Sequence, residues 1–75
     1  MNLKEQFAKQ LIIYRKDSNF SQEKLAELAN IHRTYISQIE RGLKSPTLEV
    51  IFSLCSALSI KPSEFIKGIE NGLSN

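Results

Sequence analysis

The sequence predicts an all-α fold, a compact bundle of five helices with no strands, on three observations. Apolar residues recur at three- and four-residue spacing, as they do along the buried stripe of an amphipathic helix. Turn formers interrupt that spacing at Asp17-Ser18-Asn19, Asn30, Gly42, Ser45-Pro46 and Lys61-Pro62-Ser63. Ser21 and Thr47 stand just before two of the helical stretches, where a side-chain oxygen can cap the first turn.

The elements follow in order. Leu3, Phe7, Leu11 and Ile12 define a first helix over residues about 3–17. A second follows Ser21, with Glu23 near its positive end, and stops at Asn30, which tolerates the left-handed conformation of a C-terminal cap. A third begins after His32 and runs to Arg41, where Gly42 ends it. The fourth runs from Thr47 to about Leu58; only Glu49, Ser53 and Ser56 are polar, on one narrow face, so it should be covered on several sides. Phe65, Ile66 and Ile69 mark a short fifth helix that Asn71-Gly72 should end.

Bulk properties narrow the function. Seventy-five residues bury a small core, so oligomerisation is the expected extra source of stability. Cys55 is the only cysteine, so no internal disulfide can form and a reducing, cytoplasmic compartment is expected. It lies in Leu54-Cys55-Ser56-Ala57-Leu58 and reads as a small buried hydrophobe. One cysteine and one histidine cannot build a zinc site, and no metal, cofactor or small-molecule ligand is expected. Neither a secretory leader nor a membrane span is expected. The net charge of +2 is unevenly placed: residues 1–45 carry +3 and residues 46–75 carry −1. An enzyme is disfavoured, because there is no Gly-rich phosphate loop and the glutamates form no evident catalytic pair. Nor does His32 have a nucleophile evidently beside it.

The informative stretch is Gln22 to Glu40, QEKLAELANIHRTYISQIE. Leu25, Ala26 and Ala29 should point inward, with Ala26 small enough for a second helix to cross close by. Asn30 makes the turn, Ile31 fills the angle, and Ile36 and Ile39 face back into the core. That is the layout of a helix-turn-helix motif, whose second helix enters the DNA major groove. With Arg33 at zero and about 100° per residue, Ser37, Arg41, Thr34 and Gln38 fall within one arc of about 140°. Tyr35, Ile39 and Ile36 occupy the opposite side, and Glu40 lies just outside the polar arc. Arg suits guanine, Gln suits adenine, and Ser or Thr suits several partners, so this face can read base edges. An ordinary solvated face would mix Lys with Glu, as the second helix does with Glu23, Lys24 and Glu27.

The run SQEKLAELANIHRTYISQIERGLKSPTLEVIFSLCSAL resembles the lambda repressor/Cro-like (XRE) helix-turn-helix family over roughly residues 7–66. Within it, Arg-Thr-Tyr-Ile-Ser-x-Ile-Glu-Arg-Gly is most similar to the controller proteins of restriction–modification systems. The resemblance implies a single DNA-binding domain over residues 1–75, with the motif at about 21–41 and the C-terminal helices at about 47–71. It also implies that Gln22 touches the DNA backbone or a base, and that Lys44 and Ser45 hold phosphate. Arg15 and Glu40 match an Arg and a Glu that pair across the first and third helices. Asn30 stands where Gly is usual, and His32 stands at a cap position where Ser or Thr is common. Tyr35 is expected to pack at the edge of the core with its hydroxyl free to meet phosphate.

The expected partner is a palindromic double-stranded DNA operator, bound by a homodimer that regulates its own operon. Two-fold pairing doubles a footprint too short to discriminate alone. The C-terminal region offers the most apolar surface, so Leu54, Phe65, Ile66 and Ile69 are the expected dimer contact. The alternative is that they only close the monomer's own core. The competing function is that of an antitoxin or phage-type repressor whose main partner is another protein.

Overall fold

The computed structural model describes residues 2–74. Five helices follow in order: α1 (Leu3–Asp17), α2 (Gln22–Ala29), α3 (Arg33–Glu40), α4 (Leu48–Leu58) and α5 (Pro62–Leu73). No strand occurs among the described residues. Side chains start three of the helices, each satisfying an orphan donor of a first turn. The Glu5 N–H donates to Asn2 Oδ1 (2.9 Å), the Lys24 N–H to Ser21 Oγ (2.9 Å) and the Val50 N–H to Thr47 Oγ1 (3.2 Å). Pro62 opens α5, where its missing N–H costs nothing. Asn30 and Ser59 close α2 and α4 in the left-handed conformation.

α1 packs against α3 and α5, while α2 packs against α3 and α4. Leu11, Leu25, Ile36, Ile39, Leu54 and Phe65 are fully buried where these helices meet. The Phe65 ring sits 4.9 Å from that of Phe7 and 5.6 Å from that of Tyr14, centroid to centroid. Cys55 is buried in the same core, and burial pushes its thiol up to about 11, so it stays protonated.

Three expectations need correction. Leu54, Phe65 and Ile69 belong to the monomer's own core, and of the three only Ile69 reaches the floor of a surface groove. Of the expected dimer contact only Ile66 is exposed. The outward face of α4 is also not simply polar, because Leu48 and Phe52 are exposed on it with Glu49 and Ser56. Finally, α5 runs through Asn71-Gly72 to Leu73. Gly72 is helical because it lies against α1: a Cβ there would come within 2.0 Å of Gln6 Oε1. One turn earlier, a Cβ on Gly68 would come within 2.7 Å of Gln10 Oε1. The two glycines thus let α5 approach two glutamines of α1, and a turn signal in the sequence is a packing device in the fold.

Gly72→Ala therefore sets two effects against each other. Helix propensity favours alanine by about 1 kcal/mol. Gln6, however, is buried and must be displaced, and overpacking of this kind costs about 1–3 kcal/mol. The expected result is a net loss, read as a lower midpoint in thermal unfolding followed by circular dichroism. A raised midpoint would mean that Gln6 turns aside freely.

Candidate nucleic-acid interface

The α2–α3 turn sets the site. Asn30 adopts φ 57°, ψ 46°, and the following N–H, that of Ile31, donates to the Ala26 carbonyl at 3.0 Å. This pairing satisfies the end of α2 while Ile31 packs onto the core, which fixes the angle at which α3 departs. His32 precedes α3 with no side-chain cap, and its ring is exposed. Ile36 and Ile39 then anchor α3 from below, both fully buried.

The opposite side of α3 faces solvent. Arg33, Thr34 and Arg41 are exposed, and Ser37 and Gln38 are half-buried. Arg41 Nε donates loosely to the Ser37 carbonyl at 3.4 Å. Gly42, at φ 73°, turns the chain out of α3 and leaves Leu43, Lys44 and Ser45 exposed. Thr34, Tyr35, Gln38 and Lys44 line one concave surface with Asn30, Ile31 and His32. His32 is exposed on this surface, where the sequence suggests a solvent-facing ring near phosphate. Ser45 does not join this group. It lies with Pro46 on the rim of a separate apolar groove lined by Leu3, Ile51, Ile66 and Leu73.

Charge on the site follows from one buried pair. Arg15 Nε donates to Glu40 Oε2 at 2.6 Å and Arg15 Nη2 to Glu40 Oε1 at 3.0 Å, a two-point contact between α1 and α3. The third arm, Arg15 Nη1, donates to the Phe20 carbonyl at 2.8 Å. Glu40, the only carboxylate of α3, is thereby neutralised and held beneath the helix, and Arg15 is withdrawn from any contact with phosphate. The positive potential of the exposed face comes from Arg33, Arg41 and Lys44.

Gln22 occupies a place that the sequence did not reveal. It is half-buried, its Nε2 donates to Glu40 Oε1 at 2.9 Å, and its Oε1 accepts from Arg33 Nη1 at 3.4 Å. Arg33 and Glu40 lie two turns apart on α3, but Gln22 comes from α2, and only the fold brings it between them.

The chain has clear relatives. The helix-turn-helix family profile matches residues 11–65. Control protein C.SmaI of Serratia marcescens is 37% identical over 73 residues, which is 95% of this chain and 87% of that protein. Control protein C.BamHI of Bacillus amyloliquefaciens is 47% identical over 49 residues, 65% of this chain and 60% of that protein. Among solved structures, the restriction-modification controller protein C.AhdI from Aeromonas hydrophila superposes with a TM-score of 0.80 at 35% identity, covering 83% of this chain and 94% of that one. The chain belongs to the lambda repressor/Cro-like (XRE) helix-turn-helix family of transcriptional regulators, and within it is similar to restriction–modification controller proteins.

Proposed function

We propose that this chain is a restriction–modification controller: a cytoplasmic, non-enzymatic regulator that binds a palindromic DNA operator as a homodimer and controls its own operon. The observation that carries this reading is the outward face of α3. It offers Arg33, Thr34, Ser37, Gln38 and Arg41 with its one carboxylate tied down beneath. Arg33, in the first turn of the recognition helix, is placed to meet guanine, and Gln38 to meet adenine. Arg41, Lys44 and the Tyr35 hydroxyl hold the flanking phosphates, while Ser45, on the separate apolar groove, takes no part in that contact. The N-terminus of α3 carries no acidic residue in its first turn, so its dipole also favours a phosphate.

The dimer contact is formed by exposed apolar residues rather than by the buried ones expected from sequence. Ile66, Leu3 and Leu73 border the groove between α1 and α5, and Leu48 and Phe52 stand exposed on α4.

Arg33→Ala tests the reading directly. A duplex recovered by the wild-type protein from a random-sequence library serves as operator, with point-altered versions as controls. The variant is expected to lose about 1–3 kcal/mol on the selected duplex and to stop discriminating at one base pair in each half-site. An equal loss on every duplex would make Arg33 a phosphate contact and remove base reading from its role.

A further inference from the structure

Resting on that DNA-reading assignment, we infer that Glu40 is a specificity-positioning residue, acting through Gln22 on Arg33. A carboxylate only accepts hydrogen bonds, and a primary amide donates from one end and accepts at the other. Glu40 Oε1, 2.9 Å from Gln22 Nε2, therefore dictates which way the Gln22 amide lies. Its carbonyl is turned outward, and Arg33 Nη1 donates to it at 3.4 Å. Were the amide reversed, its NH2 group would face the guanidinium with no acceptor between them.

The anchor is rigid. Glu40 is fixed at both oxygens by Arg15, and Arg15 is itself fixed by the Phe20 carbonyl. The far end is loose. Arg33 is exposed, its single contact with Gln22 is long, and the remaining N–H groups of its guanidinium are free for a bidentate contact with guanine. Gln22 thus limits the rotamers of a flexible side chain before binding, so less freedom is lost when Arg33 meets its base. One carboxylate serves both the packing of α1 on α3 and the aim of the residue at the start of α3.

A double-mutant cycle on operator discrimination tests this. Gln22→Met keeps the length and apolar stem of the side chain and removes the amide. Discrimination between the selected duplex and one altered at the Arg33-dependent base pair should fall roughly three- to tenfold, the size of a coupling between side chains in contact. In an Arg33→Ala background the same change should have no effect on discrimination. Glu40→Gln, measured well below its own unfolding midpoint, should lower discrimination at that base pair and at no other. A purely structural Glu40 would lower the midpoint without touching discrimination. If Glu40→Gln does not fold, the Gln22→Met cycle decides alone. An equal loss on all duplexes, or a loss that persists without Arg33, overturns the positioning role and leaves Arg33 as a reader. If Arg33→Ala itself leaves discrimination intact, Arg33 is no base reader and the positioning role falls with that assignment.

Discussion

Ile69→Lys is expected to unfold the chain, whereas Ile66→Lys should leave it folded and break only the dimer. The two residues are three apart on α5, yet Ile69 is 3% exposed and Ile66 is 44% exposed. At Ile69 the change removes about 2–5 kcal/mol of core packing and adds the several kcal/mol of desolvating an unpaired ammonium. A domain of this size has roughly 4–11 kcal/mol in total, so little or nothing remains. At Ile66 the ammonium reaches water in the monomer and is buried only against a second copy. That variant should sediment as a monomer with unchanged helical circular dichroism. Its operator affinity should fall sharply, since one half-site contributes too little binding energy. A folded Ile69→Lys would contradict the packing of α5, and a dimeric Ile66→Lys would move the interface elsewhere.

The second large effect lies at the Arg15–Glu40 pair, whose side chains are 13% and 5% exposed. Arg15→Ala leaves a buried carboxylate with only Gln22 as donor and orphans the Phe20 carbonyl. Breaking a buried pair from one side costs about 3–5 kcal/mol, a large share of the roughly 4–11 kcal/mol that a domain of this size has. Replacing both partners, as in Arg15→Met with Glu40→Leu, removes the uncompensated charge and should recover most of that loss. Chemical denaturation of the single and double variants checks this. A single variant as stable as the wild type would reduce the pair to a surface contact.

The fold was legible because its determinants are local. Ser21 and Thr47 cap helices where the sequence puts them, and Asn30 takes the left-handed turn that its side chain tolerates. Ile36 and Ile39 are buried and Arg33, Thr34 and Arg41 are exposed, as a period of about 3.6 residues requires. What the pattern could not separate was a core face from a contact face. Leu54, Phe65 and Ile69 have the same chemistry as Ile66, and only the packing of α2 on α4 and of α1 on α5 decides which of them meets solvent. Gly72 misled for a related reason, because its use is set by Gln6, more than sixty residues away in sequence. The link from Glu40 through Gln22 to Arg33 was illegible too, being an arrangement of side-chain ends that no spacing encodes.

Sequence-specific binding of duplex DNA by the α3 face underlies each of the expectations on operator binding. Its most direct test is the affinity for the selected duplex and for an unrelated duplex across a range of salt concentrations. With Arg15 sequestered by Glu40, Arg41, Lys44 and the N-terminus of α3 neutralise about 2–3 phosphates per protomer, or about 4–6 per dimer. The predicted slope of log affinity against log salt is about −4 to −5, with the selected duplex bound at least about 1,000-fold tighter than the unrelated one. Equal affinity for the two duplexes, or a slope near zero, would contradict it.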